Sequence, residues 1–224
     1  MARRPGGAMT TRPLHFIWIA DCSGSMQAGG KIQSLNIAIN EAIPAMRQVA
    51  EGCPNAEVLV RAVAFSDGAS WHVARPTTVD AFIWRDLVAG GLTDLGDALA
   101  LVAASFREWQ AGEPGFPPVL VLLSDGQPTD DHAAGLRALL EQPWGRRSER
   151  VAIAIGRDAD LDVLRGFTGD AGKVVRANNP EALARSIRSA ATSLLATVAA
   201  PPSMLTETTW GPEATWSRGV PDVW

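Results

Sequence analysis

The sequence predicts an α/β fold: a doubly wound, mostly parallel central sheet with helices on both faces. Three observations predict it. Apolar runs at residues 14–20, 58–65, 119–123, 151–155 and 173–175 have the length of strands. The middle ones are nearly continuous in Val, Leu and Ile, the pattern of parallel strands covered on both faces. Between the runs lie stripes spaced by 3.6 residues, and strands alternating with helices are the signature of this class.

Each element follows in order. Residues 14–20 make the first strand. Leu35, Ile39, Ala42, Ile43 and Met46 then share a helical face, and Pro44 predicts a bend or an early end. After the 58–65 strand, a weaker strand is expected at 71–74. Leu95, Leu99, Val102, Phe106 and Trp109 form the next stripe, followed by the 119–123 strand and a shorter helix marked by Leu136, Leu139 and Leu140. Arg146, Arg147 and Arg150 read as a solvated loop before the 151–155 strand. The last helix carries Leu183, Ile187, Ala190 and Leu194, with Asn179 as N-cap and Pro180 in the first turn. The expected organisation is a disordered leader at 1–12, one domain at 13–199 and a tail at 200–224. The tail has no periodicity, yet it holds Trp210, Trp216 and Trp224, so solvation and docking are both open for it.

Composition narrows the function. The chain has 224 residues, 46% hydrophobic and 20% charged, with a net charge of −4. These are globular values, and a generally basic surface for nucleic acid is absent. Cys22 and Cys53 are too few for a disulfide framework, and His15, His72 and His132 too scattered for a zinc site. No apolar run approaches the length of a membrane span and no secretory h-region opens the chain, so a cytoplasmic protein is expected.

Doubly wound sheets bind ligands beyond the carboxyl ends of their strands. The first strand runs into Asp21-Cys-Ser-Gly-Ser-Met26, where an acid and hydroxyls at +2 and +4 share one side of a loop. Gly90-Gly-Leu-Thr-Asp-Leu-Gly96 adds Thr93, and Ser124-Asp-Gly126 adds Asp125 at the end of a strongly apolar strand. Asp21, Ser23, Ser25, Thr93 and Asp125 are therefore candidate metal ligands from three loops. Hard oxygen donors suit Mg²⁺, with Mn²⁺ or Ca²⁺ as alternatives.

In order and spacing these motifs resemble the metal-ion-dependent adhesion site of von Willebrand factor A domains, over about residues 12–198. The resemblance implies a three-layer fold with one short antiparallel edge strand. It also implies hydroxyl ligands at Ser23, Ser25 and Thr93, aspartates acting directly or through water, and a partner's Asp or Glu completing the coordination. Asp125-Gly-Gln-Pro-Thr-Asp-Asp131 and Ala152-Ile-Ala-Ile-Gly-Arg-Asp-Ala-Asp-Leu161, followed by Val163-Leu-Arg-Gly-Phe167, more narrowly resemble bacterial tellurite-resistance TerY-like proteins. That resemblance implies an adaptor working with a protein kinase or a metal-dependent Ser/Thr phosphatase.

Other residues receive plainer readings. Cys22 reads as a packed position and not a nucleophile. Gly29-Gly-Lys-Ile32 lacks the full phosphate-loop pattern. Gly90 and Gly91 read as a tight turn that lets Thr93 approach, and Asp67 as part of a turn. Asp94, Asp130 and Asp131 read as acids at helix N-termini, with Asp130 and Asp131 alternatively shaping partner binding around the metal. Glu207, Glu213 and Asp222 could offer a carboxylate to a neighbour's metal. Two other functions remain open: a metal-dependent phosphohydrolase, for which no His or Lys stands next to the cluster in sequence, and a chelatase-like subunit partnering an ATPase.

Overall fold

The computed structural model describes residues 11–109, 115–125 and 127–199. Residues 1–10 of the expected leader and the whole 200–224 tail lie outside them. Arg12, placed in the leader by sequence, instead opens the sheet. Its N–H donates to the Asn55 carbonyl at 2.9 Å and its guanidinium to the Gly115 carbonyl at 2.7 Å.

The strand β1 (Arg12–Asp21) leads through a 3-10 turn (Gly24–Gly30) into α1 (Lys31–Glu51). β2 (Ala56–Ser66) and β3 (Gly68–Thr78) form a hairpin, followed by α2 (Leu95–Arg107). Then come β4 (Val119–Ser124), α3 (His132–Glu141), a five-residue α4 (Pro143–Arg147) and β5 (Glu149–Ile155). The chain continues with α5 (Leu161–Thr168), β6 (Val174–Ala177) and α6 (Pro180–Ala199). The sheet order is β3-β2-β1-β4-β5-β6, parallel throughout except for the antiparallel β2–β3 pair. The α/β prediction therefore holds, with helices on both faces. Among the described residues, no helix is long and apolar enough to cross a membrane.

The unbroken apolar runs divide between two cores because successive side chains on a strand point to opposite faces. Leu14, Phe16 and Trp18 of β1 join Val119, Val121 and Leu123 of β4 under α1 and α6. Ile17 and Ile19 join Leu120 and Leu122 under α2, α3 and α5.

Four local readings change. α1 runs through Pro44 to Glu51 without ending. Pro44 and Asn40, whose carbonyl loses the missing N–H, are both exposed, while Ile39, Ala42, Ile43 and Met46 keep one buried face across the break. Water can satisfy that carbonyl, and burial outweighs the lost bond. The α2 stripe ends at Arg107, so Trp109 lies beyond the helix; it stacks on His15 with ring centroids 4.0 Å apart. The antiparallel edge strand is 11 residues long, not four, with register shifts against β2 between Val60 and Val63. Arg150 is no loop residue: it lies in β5, half-buried, and its guanidinium donates to the carbonyls of Phe167 (2.7 Å) and Gly145 (3.0 Å).

Between β3 and α2 the chain crosses α1 as an irregular segment. Buried Asn36 fixes it by donating to the Leu87 carbonyl at 2.9 Å and accepting from Leu87 N–H (2.9 Å) and Trp84 Nε1 (3.0 Å). On the other face, α2 and α3 touch backbone to backbone: a Cβ on Gly135 would stand 2.7 Å from Gly96 Cα and closer to its carbonyl oxygen. Gly135→Ala is expected to lower stability by about 1–3 kcal/mol, since the two helices must part to admit the methyl group. Urea unfolding checks this, and an unchanged midpoint contradicts it.

Candidate metal centre

β1 and β4 are adjacent and parallel, with Ala20 beside Leu123. Asp21 ends β1 and Asp125 follows β4, so both emerge at the carboxyl edge where the strand order reverses. Ser124 Oγ donates to Asp21 Oδ2 at 2.6 Å, and Ser23 N–H donates to Asp21 Oδ1 at 2.8 Å. Asp21 thereby pins its own loop to the neighbouring strand. The hydroxyls of Ser23 and Ser25 lie 3.0 Å apart.

The loop before α2 is stitched to this one. Gly24 N–H donates to the Gly91 carbonyl at 3.0 Å, Gly90 N–H to the Cys22 carbonyl at 2.8 Å, and Gln27 Nε2 to the Ala89 carbonyl at 2.8 Å. Gly91 has φ +80°, and a Cβ there would meet Asp67 Cγ at 2.7 Å, so the turn requires glycine twice over. The turn delivers Thr93, nearly buried, whose N–H donates to Thr129 Oγ1 at 2.9 Å and whose carbonyl accepts from Thr129 N–H at 2.9 Å. The Asp125 carbonyl accepts from Asp160 N–H at 2.7 Å. The structure thus places Asp21, Ser23, Ser25, Thr93 and Asp125 on three interlocked loops of one edge.

The electrostatics of this edge are unusual. Asp21 and Asp125 are both fully buried. Burial pushes the Asp21 carboxyl up to about 6, and the charge of Asp125 adds to the rise against the hydrogen bonds from Ser124 and Ser23. Among the described residues, neither carboxylate oxygen of Asp125 has a hydrogen-bond partner. A buried carboxylate without partners is costly unless a cation neutralises it. Among the described residues, no three His, Cys, Asp or Glu side chains form a metal cluster, so the available donors are two carboxylates and three hydroxyls. That hard-oxygen set fits Mg²⁺, Mn²⁺ or Ca²⁺ and is unsuited to zinc.

Neighbouring residues divide into expected and missed. Cys22 Sγ donates to the Phe65 carbonyl at 3.3 Å, and burial pushes the thiol up, which suits packing and not nucleophilic attack. Asp131 caps its own α3 by accepting from Ala134 N–H at 2.9 Å. Asp130 instead caps α2, accepting from Gly96 N–H and Asp97 N–H, each at 2.9 Å. Asp94 stands at the start of α2 but makes no cap bond there. Its carboxylate accepts from Gly68 N–H at 2.7 Å and Thr129 Oγ1 at 3.0 Å. Asp67 accepts from Leu92 N–H at 2.9 Å. Sequence reasoning gave no role to Ser124, Thr129 or Lys31. A hydroxyl directly before the acid at a strand end was the available signal for Ser124. Lys31 is buried at the end of β5, and its Nζ pairs with Asp158 at 3.5 Å.

The model of the von Willebrand factor type A domain matches residues 17–190. No curated protein matches the chain. Among solved structures, a von Willebrand factor type A protein from Catenulispora acidiphila is 20% identical with a TM-score of 0.59, over 84% of this chain and 43% of that one. The open conformation of the pilus adhesin SpaC from Lactobacillus rhamnosus GG is 14% identical with a TM-score of 0.63, over 83% and 30%. The conserved hypothetical protein BatB from Bacteroides thetaiotaomicron is 16% identical with a TM-score of 0.56, over 82% and 98%. At these identities the likeness is one of fold. The chain spans less than half the length of the first two.

The buried acid has a pH signature. Unfolded, Asp21 releases its proton near 3.8; folded, near 6. Between those values the folded state holds a proton the unfolded state has lost, so this group lowers metal-free stability as pH rises, by about 3 kcal/mol in all. His15, held down to about 4 by burial and by nearby Arg61, acts oppositely: its contribution is present above pH 6.5 and lost as pH falls toward 4. In chelator, Asp21→Asn is expected to gain stability more steeply than wild type from pH 4 to 6.5 and to exceed it at pH 7. Parallel profiles in denaturant titrations contradict this.

Proposed function

The chain belongs to the von Willebrand factor type A family, and from that premise we propose that it is a divalent-cation-dependent protein-binding adaptor. Domains of this family are commonly interaction modules. The observation that carries the reading is Asp125: a fully buried carboxylate, both oxygens without a hydrogen-bond partner among the described residues, on the edge that bears the Ser23–Ser25 hydroxyl pair. Asp125, Ser23, Ser25, Thr93 and Asp21 would hold Mg²⁺, with Mn²⁺ or Ca²⁺ as alternatives. When bound, the cation supplies a Lewis-acidic position for a carboxylate from a partner protein, an oriented and chelator-sensitive contact.

The protein's own groups do the positioning. Asp21 fixes the loop through Ser23 N–H and Ser124 Oγ, and this holds the Ser23 and Ser25 hydroxyls together. Thr129 holds Thr93 through both of its backbone groups. Asp21 supports the site with both oxygens engaged, and this favours binding over acid–base work. The resemblance of the 125–131 and 152–167 stretches to TerY-like proteins supports a protein kinase or a metal-dependent Ser/Thr phosphatase as partner.

Two measurements test the reading. Calorimetric titration of the full chain with MgCl₂ should show one site, weakened about 10- to 100-fold by Ser23→Ala and lost in Asp125→Asn. Affinity capture from native extract should retain a kinase or phosphatase in Mg²⁺, and lose it in chelator or with Asp21→Ala. Equal retention in all three conditions contradicts the adaptor reading.

A further inference from the structure

The surroundings of the site are polarised across the sheet. On the α2–α3 face, Asp94, Asp97, Asp130 and Asp131 cluster at two helix N-termini, with Asp67 on the adjoining hairpin turn. No lysine or arginine occurs in residues 66–74, 90–100 or 127–136. Four of these five carboxylates accept backbone N–H groups, which fixes them in place.

On the α1 face the surroundings are mainly apolar. Val88 is 87% exposed. Val88 borders a shallow cavity of about 270 Å³ lined also by Ile32, Leu87 and Ala89 and by the amide side chains of Gln27 and Gln33. The bonds from Gly90 N–H to Cys22 and from Gln27 to Ala89 join this cavity to the loop that carries Ser23 and Ser25. At the end of β4 lies Asp125, whose buried carboxylate has no hydrogen-bond partner among the described residues.

We propose that the partner docks a segment in which a single Asp or Glu is flanked on one side by Lys or Arg and on the other by a large apolar residue. The acid reaches the cation, the bases face the α2–α3 carboxylates, and the apolar side chain enters the cavity beside Val88. This rests on the metal-dependent reading above and adds the partner's chemistry. Charge complementarity decides the occupant. One divalent cation does not offset seven carboxylates, counting Asp21, Asp125 and the five on the α2–α3 side, so a segment with several acids is repelled and one with basic flanks is steered in.

The test is selection of random 12-residue peptides displayed on phage against the full chain in MgCl₂, with release by EDTA. The expected clones carry one acid, a base within three residues on one side, and Leu, Ile, Met, Phe or Trp on the other. For a selected peptide, fluorescence anisotropy should show about threefold to tenfold weaker binding to Asp97→Lys, with reduced salt dependence, and a similar loss for Val88→Ser. Both positions are exposed, and neither is among the proposed ligands. EDTA-released clones that lack basic residues, or that carry several acids, overturn this inference and leave the metal-dependent reading standing. If calorimetry shows MgCl₂ binding but EDTA releases no enriched clone, this inference fails, and the capture experiment decides the metal-dependent reading.

Discussion

The Asp125 carboxylate is the constraint around which the site is organised. It lies at the end of a strand whose six residues are all buried, and among the described residues neither oxygen has a hydrogen-bonding partner. Asp21 is buried on the adjacent strand end and feels that charge. Two carboxylates so placed raise the energy of the folded state unless a proton or a cation compensates. A proton on Asp21 relieves the repulsion at acid pH. A cation beside them would do so as well, and the hydroxyl pair suits a hard one.

The fold supplies the precision such a site requires. β1 and β4 are covered on both faces, so the ends that bear the acids are held by packing and not by loop conformation. The strand order reverses between them, which opens the crevice that doubly wound sheets use for ligands. The loops are then locked to one another through backbone groups: Gly24 to Gly91, Gly90 to Cys22, Thr93 to Thr129. Gly91 permits the close turn, and Asn36 on α1 anchors the irregular segment that leads to it.

Much of this was legible in the sequence, for a physical reason. Parallel strands buried on both faces must be apolar at nearly every position, so residues 119–123 and 151–155 announce themselves without alternation. The candidate ligands were legible because their residue types are costly in such places: a hydroxyl or acid at the end of a buried strand calls for an explanation. What could not be read depends on partners distant in sequence. Pro44 does not end its helix, because the residues on either side of it bury one continuous face. Arg150 stays in β5 because carbonyls from α4 and α5 receive its guanidinium. Asp130 caps a helix that begins 35 residues before it, and Asp94 serves a hairpin turn and a distant threonine; single-sequence capping rules see only the adjacent helix. The length of β3 was hidden because an exposed edge strand carries polar residues and lacks a strong apolar signal.

The most direct test of the account is a crystal structure of the full chain grown with MnCl₂, with the anomalous difference map computed at the manganese edge. The account predicts a single strong peak at the carboxyl edge of β1 and β4, with the Ser23, Ser25 and Thr93 hydroxyls and Asp125 around it, directly or through water. A map with no peak there, or a peak held only by surface carboxylates elsewhere, would contradict the account.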